Sequence, residues 1–249
     1  MAGIKFDKIY RDLQQRIDSG EFEFQDLLPS ETEFCRHYGC SRNTVRRALN
    51  DLALQGYVQS MHGKGVRVIH QPARHSDYQL GRVESFKETM AREPGAVRTL
   101  VAHFNRIAVD PAVASLTSLP EGEQIYYIQR VRYFDEKAYI IDHNYFLCSA
   151  VPGLTPAIAS DSIYEYIENV LGMRIVTTKR TMTVERTTEL DERYLELDGA
   201  NCVAVIGNST FNADGVMFEF TQSRHSPERF VFHDRARRLR KKPIRVEHD

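Results

Sequence analysis

Nowhere in the 249 residues do about 18 apolar residues follow one another, the length that a membrane-crossing helix needs. The opening MAGIKFDKIYRDLQQ is charged from Lys5 onward and lacks the apolar core of a secretory signal. Both absences lead us to expect a soluble cytoplasmic protein with no membrane partner. The four cysteines, Cys35, Cys40, Cys148 and Cys202, form no C-x-x-C pair, and no second pair near Cys35 and Cys40 completes a zinc site. Small buried hydrophobes are the simpler reading. There is no G-x-S-x-G elbow, H-E-x-x-H helix or Walker-type loop, and the nine histidines lack ligand-like spacing. The expectation is therefore no catalytic residue, no metal and no cofactor. Tandem repeats and low-complexity tracts are missing too. The most local absence is of acid: no Asp or Glu lies from Phe34 to Asn50, in a chain whose net charge is only -1. An anionic partner is expected to dock there.

What is present suffices for two cores, since 42% of the residues are hydrophobic and 27% charged. Phe6, Ile9, Leu13 and Ile17 share one face of a first helix that Gly20 ends. Ser30 and Glu33 have capping-box spacing, which predicts a second helix from Glu31. Gly39 supplies a permissive C-cap, and Ser41 caps a third helix almost at once. There Val45, Ala48, Leu49 and Leu52 recur at helical spacing and face inward, leaving Arg42, Asn43, Arg46, Arg47 and Asn50 outward. Gly56 ends this helix, and YVQSMHGKGVRVI predicts two short strands, Tyr57 to Ser60 and Val66 to Ile69, around a glycine tip.

A helix whose first turn projects arginine and amide groups fits a DNA major groove. Arg42 can offer two parallel donors to guanine, while Asn43, Thr44, Arg46 and Arg47 reach bases or phosphates according to helix tilt. Ser30 and the helix-start amides suit phosphate, and the cap Ser41 belongs to the same face. Gly63 lets the hairpin backbone approach a minor groove, with Lys64 as a cation beside it. The bland alternative is a solvated basic helix, against which stand the tight turn and the glycine-tipped hairpin. The segment LLPSETEFCRHYGCSRNTVRRALNDLALQGYVQSMHGKGVRV, within residues 5 to 69, resembles the winged helix-turn-helix of GntR-family transcription regulators. The shared pattern is LPSE, SR-x-TVR-x-AL, GY and a GxG wing. This resemblance implies a homodimer on palindromic double-stranded operator DNA, with Arg42 and Gly63 as DNA-reading positions. Many members have arginine after PSE where this chain has Thr32, so a different operator preference is expected.

HQPARHSDYQL loses apolar periodicity and contains Pro72, which places a linker at 71–80. Beyond it, strand-like runs QIYYIQRVRYF, AYIIDHNYF, CVAVIGNSTF and VMFEFTQSRH alternate with helical stretches near Asp110 to Leu116, Ile163 to Leu171 and Thr188 to Leu195. An α+β domain with a mostly antiparallel sheet fits that order. The expected organisation is a DNA-binding domain at 1–70, the linker at 71–80, a second domain at 81–238 and a basic tail at 239–249. The run RARRLRKK is either solvated tail or an auxiliary phosphate contact.

Strand alternation puts Arg130 and Arg132 on one face, where both can converge on a phosphate with Ser85, Ser162 and Tyr164. Taken singly, each arginine is more commonly a surface salt-bridge partner, and Ser162 alone is a helix cap. SFKE from Ser85, RVR from Arg130, DHNYF from Asp142, SIYEYIE from Ser162 and FEFTQSRHSPERFVFHDRARR from Phe218 resemble the UTRA effector-binding domain of the HutC branch of the GntR family. That domain is chorismate lyase-like in fold, and within the branch the likeness runs to repressors of trehalose operons. The resemblance implies phosphate held by Ser85, Arg130, Arg132, Ser162 and Tyr164, with Glu219, His225 and Asp142 facing sugar hydroxyls. A carboxylate accepts hydroxyl hydrogen bonds, which suits Glu219; its other reading is a strand-edge charge. The implied effector is a sugar phosphate, trehalose 6-phosphate, with N-acetylglucosamine 6-phosphate as the alternative, and the implied mechanism is repression relieved by it. Two readings of another class stand beside this one: a chorismate lyase-like enzyme, and a DNA-binding structural protein indifferent to metabolites.

Overall fold

The computed structural model describes residues 2–71, 78–79, 83–91, 95–228 and 230–233. The chain divides between residues 71 and 78 into two compact units. Most of the expected linker and all of the expected basic tail fall outside the described residues.

In the first unit, helices α1 (Ala2–Asp18), α2 (Glu31–Tyr38) and α3 (Arg42–Leu54) precede a hairpin of β1 (Val58–Met61) and β2 (Gly65–Val68). The Ser30 side chain accepts the Glu33 amide while the Glu33 carboxylate accepts the Ser30 amide, a complete capping box at the start of α2. Gly39 stops the helix in the left-handed region, with φ 58° and ψ 44°. Ser41 then caps α3 by accepting the Thr44 amide. Ile9, Leu13 and Ile17 of α1, Phe34 of α2, and Val45, Ala48, Leu49 and Leu52 of α3 form one buried core that Val58 and Val68 close from the hairpin. Both strands are displaced by one residue from their sequence-predicted spans. The opposed Val58 and Val68 define the buried pair, and Tyr57 leaves the strand to stack on His70 at 4.4 Å.

The second unit is built on six antiparallel strands: β4 (Val97–Ala108), β5 (Gln124–Phe134), β6 (Lys137–Leu147), β7 (Ile175–Arg186), β8 (Cys202–Asn212) and β9 (Met217–His225). Their order in the sheet is β4-β5-β6-β9-β8-β7. The sequence pattern gave the four inner strands and missed both edges. In β7, IVTTKRTMTVER leaves Val176 50% and Val184 74% exposed, so no apolar face marks it as a strand. A separate parallel pair joins β3 (Tyr78–Gln79) to β10 (Phe232–His233). Among the described residues, five short helical elements complete the unit: α4 (Phe86–Met90), α5 (Pro111–Thr117), α6 (Pro156–Ser160), α7 (Ile163–Glu165), which runs into a π-helical turn over Tyr166–Val170, and α8 (Glu189–Tyr194). Among the described residues no helix is long and apolar enough to cross a membrane.

The sheet repeats itself. Strand, helix and hairpin follow in the order β4, α5, β5, β6 and again as β7, α8, β8, β9. Asp110 caps α5 and Thr188 caps α8, and both hairpins carry a register shift, after Arg132 in one and after Thr210 in the other. The halves meet where β6 pairs with β9, about a local two-fold at the His143–Gln222 pair. Arg130 and Arg132 of the first half therefore correspond to Asn208 and Thr210 of the second.

One sheet face packs Ile128, Phe146 and Phe218 under Ile163 and Ile167. On the other face, Val131, Ile141, Val203 and Val205 pack with Leu195, just beyond α8. A buried ion cluster pins α8 there. Arg224 donates to Asp191 at 2.9 Å and 3.0 Å, to Glu185 at 2.6 Å and to the Arg186 carbonyl at 3.1 Å. Asp191, fully buried, also accepts the Thr188 amide that starts α8. Asp191→Ala strands the Arg224 guanidinium with a single carboxylate and removes the carboxylate half of the α8 capping box. Urea denaturation should show a loss of about 3–5 kcal/mol, and a loss below about 1 kcal/mol would contradict the role given to this cluster.

Candidate functional site

The first unit presents Arg42, Asn43, Arg46, Arg47 and Asn50 as an exposed face of α3, with Thr44 half-buried beside them. These side chains are not loose. Arg46 makes a two-pronged contact with Glu31, Nε to Oε1 at 3.1 Å and a terminal nitrogen to Oε2 at 2.9 Å. A terminal nitrogen of Arg42 donates to the Thr32 hydroxyl at 3.3 Å, and the Arg47 guanidinium lies 4.3 Å from the Phe6 ring centre. Ser30 and Ser41 are both spent on helix caps. Gly63 and Lys64 occupy the turn between β1 and β2, where the Lys64 amide donates to Met61 O at 3.1 Å and Gly63 has φ 70°. The partners Glu31 and Thr32 went unrecognised in the sequence. They stand on α2 and meet the α3 arginines only because the Gly39 turn folds one helix back on the other.

The second unit holds an open cleft of about 950 Å³, its mouth to solvent included, on the sheet face beside α4 and α7. All eight residues expected to contact an effector line it: Ser85, Arg130, Arg132, Asp142, Ser162, Tyr164, Glu219 and His225. Neither arginine is a surface group, at 7% and 5% exposure, and Glu219 lies on an inner strand at 3%, not at a strand edge. Arg130 Nε donates to Asn144 Oδ1 at 2.7 Å. Arg132 donates to Asp142 at 2.8 Å and Thr99 at 2.7 Å, with its guanidinium 4.8 Å from the Phe86 ring centre. Asp142 also accepts the Ser223 hydroxyl at 2.6 Å. The Tyr164 and Thr221 hydroxyls donate to the two Glu219 oxygens at 2.7 Å and 2.6 Å. Ser85 and Ser162 are helix caps at the mouth, where Lys87 bridges Asp161 at 3.0 Å and Glu165 at 2.9 Å.

Sequence reading missed Lys87, Thr99, Asn144, Arg180, Asn208, Thr221 and Ser223. Asn144, Thr221 and Ser223 were recoverable, because period-two alternation carries the Asp142 and Glu219 faces on to them. Thr99 and Arg180 were not, because they stand on the unrecognised edge strands.

The cleft's electrostatics favour an anion. Burial and the adjacent Arg132 charge push the Arg130 guanidinium down from its ordinary value. Burial opposes ionisation of Asp142, yet Arg132 and Arg130 hold its carboxyl below the usual range. Burial raises the Glu219 carboxyl despite its hydroxyl donors, and drives the His225 imidazole down to about 4. Two cations thus face one firm carboxylate. Among the described residues no group of three or more side chains forms a metal site.

A winged helix-turn-helix in one chain with a cleft lined by buried arginines defines a DNA-binding regulator with an effector domain. Residues 5–68 match bacterial regulatory proteins of the gntR family, and residues 93–231 match the UTRA domain. The chain belongs to the GntR family of transcription regulators, in its HutC-type branch bearing a UTRA domain. The HTH-type transcriptional regulator TreR of Bacillus subtilis (strain 168) is 35% identical to it, over 94% of this chain and 98% of TreR. GmuR from the same organism is 24% identical, over 91% and 96%. Among solved structures, the effector-binding domain of the B. subtilis trehalose repressor TreR is 33% identical with TM-score 0.52, covering 57% of this chain and all but 1% of that domain (99%). YydK of B. subtilis, at 23% identity and TM-score 0.79 over 94% and 99%, shares the fold. Regulators of this family bind operator DNA, and small-molecule effectors through the UTRA domain. The relatives are transcription regulators, not enzymes.

The buried imidazole gives a pH test. With its folded pKa near 4 and an unfolded value of 6.5, His225 contributes stability that is present above pH 6.5 and lost as pH falls towards 4. His143, lowered by burial, acts in the same direction, whereas the raised Glu219 carboxyl contributes stability below its unfolded pKa that is lost as pH rises. Melting temperatures between pH 7 and pH 4 should fall less steeply for His225→Gln than for the parent. Parallel curves would show that His225 is not held neutral.

Proposed function

We propose that this regulator is a cytoplasmic homodimeric repressor of a trehalose-utilisation operon, released from its palindromic operator by trehalose 6-phosphate. The observation that carries the effector class is the buried Arg130–Arg132 pair in a cleft also lined by hydroxyl, amide and carboxylate groups. Guanidinium forks recognise a phosphate bidentately, while Glu219 and Asp142 offer acceptors to ring hydroxyls. Similarity to TreR supports the particular sugar. Residues 1–70 bind DNA in this reading, 71–80 transmit the effector signal and 81–238 receive it. Two recognition helices engage successive major grooves only at a separation of about 34 Å, so an effector that favours another separation weakens operator binding.

On the DNA side, Arg42 reads a guanine from the first turn of α3. Arg42→Ala should lose about 1–3 kcal/mol of discrimination at one base pair per half-site. Equal weakening on operator and random DNA would remove that assignment.

On the effector side, the protein on its operator is titrated with trehalose 6-phosphate, trehalose, glucose 6-phosphate and N-acetylglucosamine 6-phosphate. Release at the lowest concentration is expected from trehalose 6-phosphate. Neutral trehalose should be much weaker, because it leaves two buried guanidinium groups sharing the single Asp142 carboxylate. Stronger release by N-acetylglucosamine 6-phosphate would keep the regulator and replace its sugar. Turnover of any of these compounds would instead favour the enzyme reading.

A further inference from the structure

The cleft has a second cationic end. Arg180, on the edge strand β7, lines it half-buried, and its Nε donates to Asn208 Oδ1 at 3.0 Å. This matches the far side, where Arg130 Nε donates to Asn144 Oδ1 at 2.7 Å. Each half of the repeated fold thus supplies one arginine anchored to an asparagine on the next strand inward. Arg130 stands on β5 and leans towards β6; Arg180 stands on β7 and leans towards β8. In the order β5-β6-β9-β8-β7, β6 and β8 are two strand spacings apart, about 10 Å. A single pyranose ring is shorter than that gap. The floor between the two ends is mostly polar, with Thr221 and Ser223, and offers Ile206 as one apolar surface for the C–H face of a ring.

From this geometry we infer that Arg180 and Asn208 form a distal subsite that binds the second ring of a phosphorylated disaccharide whose phosphate lies at Arg130 and Arg132. The inference rests on the phosphate reading above and adds to it the length of the ligand and the residues that read its far end. Asn208 offers both a donor and an acceptor to ring hydroxyls, and the Arg180 guanidinium offers donors to hydroxyl or glycosidic oxygens. Selection for two rings over one follows, because a monosaccharide phosphate satisfies the proximal end alone.

The test is calorimetric titration of the full-length protein with trehalose 6-phosphate and with glucose 6-phosphate, on the parent, Arg180→Ala, Asn208→Ala and Arg130→Lys. Arg180 is half-exposed on an edge strand, and Asn208→Ala gives an independent second variant. Melting curves of the unliganded proteins confirm that each is folded. Arg180→Ala and Asn208→Ala should each weaken trehalose 6-phosphate by about tenfold or more while changing glucose 6-phosphate by less than about twofold. Arg130→Lys should weaken both ligands. Parent-like affinity for trehalose 6-phosphate in both distal variants, or equal weakening of the two ligands, overturns the distal subsite and leaves the phosphate site standing. Failure of the parent to bind either phosphosugar, or unchanged binding of both by Arg130→Lys, overturns the phosphate reading and the subsite with it.

Discussion

The second unit is organised around the cost of burying two arginines side by side in a sheet. Like charges repel, and desolvation adds a penalty that neither side chain recovers from water. The surroundings of the pair answer this term by term. Asp142 supplies the nearby carboxylate, Asn144 and Thr99 accept further guanidinium hydrogens, and Phe86 covers one guanidinium face. Asp142 is in turn fixed by Ser223 from the other half of the sheet, so the charged centre ties the two halves together. The compensation is incomplete, since Glu219 is biased towards its neutral form.

The DNA-binding unit handles its cations differently, because they are exposed. Glu31 and Thr32 hold Arg46 and Arg42, and the Phe6 ring lies beneath the Arg47 guanidinium. Such contacts are worth little as stability in water. Their effect is to narrow the rotamers of long side chains on the exposed face of α3, so less conformational entropy is left to lose if that face docks on a partner. Arg46 must exchange or share its carboxylate if it is to reach a phosphate, which sets it apart from Arg42, whose partner is a neutral hydroxyl.

Local chemistry made much of this legible in advance. Capping residues, a left-handed glycine and a 3.6-residue apolar period are short-range signals that located α2, the turn and α3, and β-prone runs located the inner strands. The cleft residues were legible where strand alternation or the family resemblance reached them. The edge strands β4 and β7 were not, since strands with few buried positions carry no apolar alternation. Arg180 was lost with β7. The pairings of Glu31 with Arg46 and Asn144 with Arg130 depend on how elements are brought together, which no window of sequence encodes. Glu219 illustrates the same limit: its charge left a strand-edge reading open beside the sugar-facing one, and only the place of β9 inside the sheet closes it.

The repeated half-sheets have a consequence for how a ligand is received. A cavity close to a local two-fold would accept an elongated molecule in either of two opposite directions with similar energy, and a bound population split between them would give a blurred signal. Arg130 and Arg132 have Asn208 and Thr210 as their counterparts, so the two directions are inequivalent for any molecule charged at one end only. The cleft has a head and a tail. That broken symmetry leaves two buried arginines at one end of the repeated scaffold and the half-buried Arg180 at the other.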